Sequence, residues 1–254
     1  MTHAPGPGPV EALLAAARRA LAAAPRVVAL TGAGVSAESG LATFRGPGGH
    51  WRNHRPEDLA TPQAFARDPL LVWEWYAERR GLAAAAQPNP AHLALARFER
   101  ARPADAFTLV TQNVDGLHRR AGSADPIELH GSLWTVRCTG CGRERREERI
   151  PLVPLPPRCP ACGALERPAI VWFGETLPEE ALARAFAAVD AAEVLLVAGT
   201  SGLVYPAAGL IARAVARDVV TIEVNPEATP HSGAVRFALH GPAGAILPGL
   251  LGEA

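Results

Sequence analysis

The sequence predicts an α/β fold: a doubly wound parallel sheet interrupted by two insertions. Three observations lead there. Four apolar, β-branched runs recur, "RVVALTG" (26–32), "FTLVTQN" (107–113), "VLLVAGTS" (194–201) and "VVTIEVNP" (219–226), and their unbroken apolarity suits strands buried on both faces. Helical patterns separate them at 92–101, 178–192 and 207–218, so the unit is βαβ and the strands run parallel. Two stretches, 43–90 and 131–170, break that alternation.

In chain order, "MTHAPGPGPVEALLAAARRALAAAP" reads as a Pro/Gly arm followed by an Ala-rich helix that stops before Pro25. It has no basic leader region, and Arg18 and Arg19 interrupt its apolar stretch, so it is a poor signal peptide. Residues 43–90 are loop and helix, rich in Gly, Trp and Arg, and residues 131–170 hold all four cysteines and the Pro-rich "IPLVPLPP". The longest uncharged run, Val194 to Ala212, reaches membrane-spanning length, but "GTSG" and Tyr205–Pro206 divide it into strand, loop and helix. The expected boundaries are 1–42, 91–130 and 171–254 for the sheet domain, 43–90 for a loop-helix insertion and 131–170 for a cysteine insertion.

Composition narrows the function classes. The 254 residues are 48% hydrophobic and carry 25 basic against 25 acidic groups, so bulk charge does not point to nucleic acid or a membrane surface. All 25 basic residues are Arg, a bias that a GC-rich genome or a thermophilic origin would each produce. An enzyme acting on lysine side chains could not act on its own. A cytoplasmic monomer, with no direct nucleic-acid or membrane partner, is the expectation.

Four motifs carry chemistry. Cys138-x-x-Cys141 and Cys159-x-x-Cys162 stand 17 residues apart, the spacing of a zinc ribbon, and four thiolates would close a structural Zn²⁺ site. Two disulfides or two redox pairs are the other readings. "LTGAGVSAESGLATFRG" follows a strand and opens a helix, where Gly32-x-Gly34-x-x-Ala37 fits a dinucleotide-binding turn. The acidic residue expected about 20 positions later is missing, which argues against an ordinary hydride-transfer dehydrogenase. In "TQNVDGLHRRAG", Gln112, Asn113 and Asp115 offer two amides and a carboxylate at a strand end, suited to ribose and carboxamide; a polar loop with Asp115 capping the next helix is the alternative. His130 in "ELHGS" is a candidate base, with His118 as its competitor.

Taken together, "GAGVSAESGLATFR", "TQNVDGLH", "LHGS", the paired CxxC, "VWFGE", "GTSGLVYPA" and "EVNP" resemble the sirtuin family, in the family's order and over roughly residues 27–248. The resemblance implies a Rossmann-like NAD-binding domain and a smaller zinc-ribbon/helical domain formed by the two insertions. It implies NAD as co-substrate, one structural Zn²⁺ and acyl-lysine peptides as partners. The acyl oxygen would attack the nicotinamide ribose, with His130 as general base, giving nicotinamide, free lysine and O-acyl-ADP-ribose.

By the same resemblance Gly32, Ala33, Gly34, Ser36 and Ala37 hold the phosphates, and Phe44 and Arg45 sit beside the nicotinamide ribose. Gln112, Asn113 and Asp115 face ribose and carboxamide, Gly199, Thr200 and Ser201 phosphate or ribose, Asn225 the adenosine ribose and Ala243 the adenine. Phe173, Gly174, Glu175 and Val204 would clamp the peptide as an added strand. Ala60 in "EDLATP" with Tyr76 and Arg79 in "YAERR" resembles class III, the desuccinylase and demalonylase type: Arg and Tyr supply donors for an acyl carboxylate and Ala the room. A mono-ADP-ribosyltransferase on the same NAD site and a non-catalytic zinc/NAD module are the competing functions.

Overall fold

A computed structural model describes residues 9–43 and 56–252. The expected N-terminal arm, and Phe44 and Arg45, lie outside the described residues. In chain order the elements are α1 (Pro9–Ala23), β1 (Val27–Thr31), α2 (Ala33–Ala37), α3 (Pro56–Leu59), α4 (Pro62–Arg67), α5 (Pro69–Ala85), α6 (Pro90–Arg100), β2 (Phe107–Thr111), α7 (Leu117–Ala121) and β3 (Ile127–Glu128). There follow β4 (Gly131–Cys138), β5 (Glu144–Arg146), β6 (Glu166–Ile170), α8 (Glu179–Ala191), β7 (Val194–Ala198), α9 (Ala208–Ala216), β8 (Val220–Asn225), β9 (Phe237–His240) and α10 (Ala243–Leu250).

The large sheet has the order β3-β2-β1-β7-β8-β9, and all its pairings are parallel. The chain builds outward from β1 through β2 to β3, then restarts on the other side of β1 with β7. That reversal opens a crevice at the carboxyl ends of β1 and β7, where ligands bind in doubly wound folds. The runs read as strands to 113 and 201 end earlier, at Thr111 and Ala198, so the polar residues beyond them leave the sheet at that rim.

β1 alternates between two cores. Val27 and Ala29 pack with Leu21, Leu95 and Leu247 on one face, while Val28 and Leu30 pack with Val189, Leu210 and Ile211 on the other. Helices α1, α6 and α10 thus cover one side and α8 and α9 the second. Coverage of both faces is why alternating polarity is missing from these strands.

The smaller unit is an antiparallel sheet, β5-β4-β6, against which α4 and α5 pack around Trp73, Tyr76, Val136 and Trp172. Its helices start where the sequence punctuates them. Thr61 accepts from Ala64 N (3.0 Å) before Pro62, and Asp68 accepts from Leu71 N (3.0 Å) before Pro69. Each pairs a side-chain cap with a proline whose missing N–H costs nothing at the first helical position. α5 is then tied to β4 by Arg80. Its fully buried guanidinium donates to Leu133 O, to Glu147 O (2.7 Å) and to Arg149 O (3.2 Å) and lies over the Trp134 ring. Buried charge is tolerated there because its donors meet carbonyls that β4 and the following loop leave free.

The four cysteines converge. Their Sγ atoms all lie within 4.8 Å of one another, with Cys138–Cys162 at 3.4 Å and Cys141–Cys159 at 3.8 Å. Zn–S bonds of about 2.3 Å in a tetrahedron require S···S edges of about 3.8 Å, whereas a disulfide requires about 2 Å. The two turns are alike: Gly142 N returns to Cys138 O (3.2 Å) and Gly163 N to Cys159 O (2.9 Å), with positive φ at both glycines. The donor set and spacing fit one structural Zn²⁺, and the disulfide and redox-pair readings do not fit these distances. Below the metal site, Glu147 takes Arg145 (2.7 Å) and Arg149 (2.6 Å), and Glu166 takes Arg145 (2.6 Å).

Metal analysis of the purified protein should return one zinc per chain. Cys162→Ser should lower the stoichiometry and lead to early loss of structure in residues 131–170, read by hydrogen exchange; full zinc retention would contradict the ligand set. Acid should act on the same module. Hydrogen bonding from Arg149, and then from Arg145, holds the Glu147 carboxyl at about 2. A depressed folded pKa adds stability above the unfolded value of about 4.3, lost as pH falls toward 2. Because Arg149 is largely exposed, roughly 1–2 kcal/mol is a fair magnitude. Urea titrations of Glu147→Gln should show that deficit at pH 7 and none near pH 2.

Candidate active site

Parallel register places the site. Thr31 and Thr111 end β1 and β2 side by side, and Gln112 N extends the ladder to Thr31 O (2.9 Å). On the other flank of β1, Gly199 follows β7 and folds under the β1–α2 turn: Gly32 N donates to Ala198 O (3.1 Å) and Gly34 N to Gly199 O (2.8 Å). A Cβ on Gly34 would stand 2.8 Å from Gly199 Cα, and one on Gly32 2.7 Å from Thr200 Cβ. The fingerprint glycines are therefore required by the crossing of two protein loops, a reason separate from phosphate approach.

Inside the turn, Ser36 is the hub. Its hydroxyl donates to Asp115 Oδ2 (2.8 Å) and accepts from Asn113 Nδ2 (3.1 Å), which also reaches Gly32 O (3.0 Å). His92 Nε2 lies 3.4 Å from the same oxygen, and Asn89, the cap of α6, holds the other side of that ring. Asp115 Oδ1 accepts Leu117 N (2.8 Å), and its main-chain oxygen accepts the Trp134 indole N–H (2.7 Å). The N-cap of α7 is Gly116 and not Asp115, which bonds Leu117 N from one residue further out while lining the cleft. Burial raises its pKa, opposed by Leu117 N–H, the Ser36 hydroxyl and the Arg79 and Arg120 charges.

His130 stands at the end of the segment leading into β4, half-buried, with Nδ1 3.0 Å from Gln112 O. A carbonyl only accepts, so Nδ1 carries the proton and Nε2 is left as the basic atom. Burial lowers its pKa, against the raising effect of that hydrogen bond. The competitor His118 is fully inside, its Nε2 donating to Thr31 Oγ1 (2.9 Å), which in turn donates to Thr111 Oγ1 (2.8 Å). His118 stitches strand ends together.

A small, half-open pocket of about 40 Å³ touches Ala33, Ser36, Asn113, Asp115, Arg79 and Leu133. Arg79 is buried there, its guanidinium over Trp75 (4.6 Å) and Tyr76 (5.3 Å). Tyr76 is deeper, its oxygen accepting Trp172 Nε1 (2.9 Å), and Ala60 belongs to the same apolar cluster. The pair read from "YAERR" therefore lies inside.

Other positions fall around the rim. Gln112 Nε2 donates to Thr200 Oγ1 (2.9 Å), Ser201 is exposed, and Asn225 ends β8 with Nδ2 on Glu227 O (2.8 Å). Ala37 is exposed at the end of α2, while Ala243 is buried in the sheet core and serves packing. Phe173 and Gly174 form an exposed turn whose Phe173 N reaches Ala60 O (2.9 Å), and Val204 is half-buried beyond β7. The Glu175 carboxylate holds this turn: Arg167 donates to both its oxygens (2.6 and 2.8 Å) and Trp172 N to one of them (2.9 Å), which leaves the main chain of 173–175 as the part read as a peptide clamp. Sequence reasoning missed His92, Asn89, Trp134 and Arg80. "NPAH" was a readable cap signal; the two long side chains left none, because their partners are main-chain oxygens far away in sequence.

Comparison with known proteins agrees with this architecture. The Sir2 family model matches residues 32–206. The NAD-dependent protein deacylase of Aquifex aeolicus is 56% identical over 204 residues, 80% of this chain and 84% of that protein. NAD-dependent protein deacylase 1 of Archaeoglobus fulgidus is 50% identical, covering 89% and 91%. Among solved structures, a Sir2 homolog–NAD complex superposes with a TM-score of 0.88 at 48% identity, covering 98% of this chain and 95% of that one. A family match over most of the chain, and relatives half identical along nearly its whole length, lead to one conclusion: the chain belongs to the Sir2 family.

Proposed function

We propose that the protein is a NAD-dependent protein-lysine deacylase that prefers acyl groups ending in a carboxylate. The observation that carries the first half is the Ser36–Asn113–Asp115 cluster at the carboxyl ends of β1 and β2, with the basic Nε2 of His130 beside the same strand ends. NAD as co-substrate supplies the glycosidic bond that is broken. Around it, Ala33, Gly34 and Gly199–Ser201 line the turn for phosphates, and Asn113 offers an amide to ribose. Asp115 accepts the carboxamide, and His130 takes a ribose proton. Relatives of known structure have been solved with a myristoylated histone peptide and with a deacetylated p53 peptide. An acylated lysine peptide is the matching substrate here, laid between Phe173–Gly174 and Val204. The mono-ADP-ribosyltransferase reading has no observation that favours it.

Support for the acidic acyl group comes from Arg79. Desolvation lowers its pKa, countered by Tyr76 and Asp115, and the group stays cationic well above neutral pH. A guanidinium facing a small pocket and stacked on the rings of Trp75 and Tyr76 is disposed to take a carboxylate by charge-assisted hydrogen bonds. Because Tyr76 accepts from Trp172, its own proton remains available to donate.

His130→Ala should abolish deacylation while NAD binding, followed by calorimetry, survives. Since burial lowers the pKa of His130, the acid limb of kcat/KM should lie below pH 6.5; an active His130→Ala enzyme would remove this base from the mechanism. Arg79→Met should cut desuccinylation at least tenfold in kcat/KM, since losing one partner of a buried pair costs about 2–5 kcal/mol, and leave deacetylation little changed. Tyr76→Phe should repeat the asymmetry more weakly, a neutral donor being worth less than a charged one. Parallel losses on acetyl and succinyl peptides would mean that both residues only brace α5.

A further inference from the structure

The geometry points to Trp134 as a positioning residue for the NAD step: its indole N–H fixes the main chain of Asp115 and so aims that carboxylate at the carboxamide. This rests on the role proposed for Asp115 and adds a residue from outside the NAD-binding domain. Trp134 lies on β4, the first strand of the zinc unit, yet its Nε1 donates 2.7 Å to Asp115 O. Two neighbours hold the residue in place. Arg80 lies over it at 5.1 Å while binding the carbonyls on either side, Leu133 O and Glu147 O. Glu147 N returns to Trp134 O (2.9 Å), locking this residue of β4.

The contact is built on both sides. Gly116, next to Asp115, has φ +79, and a Cβ there would lie 2.6 Å from Trp134 Nε1. A left-handed glycine and a partly buried indole thus meet at van der Waals distance, and neither a bulkier residue at 116 nor a shorter one at 134 keeps the arrangement. All three oxygens of Asp115 are then engaged by separate parts of the chain: Oδ2 by Ser36 of α2, Oδ1 by Leu117 N and the carbonyl by Trp134. Leu133 N donates to Val114 O (2.9 Å), so β4 grips two consecutive carbonyls of the loop. Ser36 sets the rotamer of the carboxylate, and Trp134 sets where its Cα stands. Without the indole donor, Asp115 O is a buried acceptor with no partner, and the 114–116 loop relieves that by rotating the peptide that carries the carboxylate.

The test is Trp134→Phe in the full-length, zinc-loaded enzyme, with KM for NAD, KM for an acyl-lysine peptide and inhibition by nicotinamide measured together. The expected result is about a tenfold rise in KM for NAD and in the nicotinamide inhibition constant. Peptide KM should stay within about twofold, with one zinc per chain and a small change in Tm. If Trp134→Phe unfolds the zinc unit, site-specific 3-benzothienylalanine at position 134 keeps the shape and removes only the N–H, and the same selective rise is expected. Unchanged NAD and nicotinamide constants in a folded variant, or equal rises for NAD and peptide, would overturn the proposal. Asp115→Asn run in parallel separates the two levels. If it too leaves nicotinamide inhibition unchanged, the carboxamide role of Asp115 has failed; if it weakens inhibition while the position-134 variants do not, only the Trp134 inference has.

Discussion

The constraint on which the site depends is the crossing of the β1–α2 turn with the loop after β7. Gly199, at φ +60, lies so close that a Cβ on it would stand 2.3 Å from Val35 N, and one on Gly34 would strike Gly199 in return. Two backbones at this distance leave no space for side chains and bring two strand ends to one point of the rim. The turn can then deliver Ser36 beneath Asn113 and Asp115, and Gly199–Ser201 can sit on the opposite flank. A larger residue at either glycine forces the loops apart, and the polar cluster loses its floor.

The smaller unit is coupled to that rim by polar contacts as well as by packing. Arg80 of α5 satisfies carbonyls of β4 and the loop after β5, Trp134 reaches Asp115, and Tyr76 bonds Trp172 beyond β6. α5 therefore carries adjacent arginines with opposite assignments. Arg80 points into the zinc unit, its two terminal nitrogens on main-chain oxygens and its Nε without a partner, whereas Arg79, 100° further round the helix, lines the pocket beside Asp115. A Zn²⁺ on the four cysteines would bear on the cleft through this framework, since it would fix the strands from which β4 reaches the 114–116 loop.

Much of this was legible in the sequence, for identifiable reasons. The central strands declared themselves because burial on both faces makes them continuously apolar, as Val27–Thr31 and Val194–Ala198 show. The edge strands β3 and β9 were not seen: Ile127–Glu128 is two residues long and Phe237–His240 four, so neither has a period to read. The cysteine unit was visible from spacing alone. The Arg167–Glu175 pair was not legible, because a carboxylate in a loop gives no sign that an arginine eight residues earlier binds both its oxygens. His118 and His130 look equivalent in one dimension; only the sheet separates the ring that stitches Thr31 from the ring left with a free Nε2.

The most direct measurement of function is a matched set of peptides carrying acetyl, malonyl, succinyl and glutaryl lysine, incubated with NAD and followed by mass spectrometry. An acid-selective deacylase releases nicotinamide and O-acyl-ADP-ribose stoichiometrically from each peptide, with kcat/KM for the dicarboxylic groups above that for acetyl. Equal or better turnover of acetyl-lysine would contradict the carboxylate role of Arg79. ADP-ribose left on the peptide, or no nicotinamide release from any of them, would contradict deacylation itself.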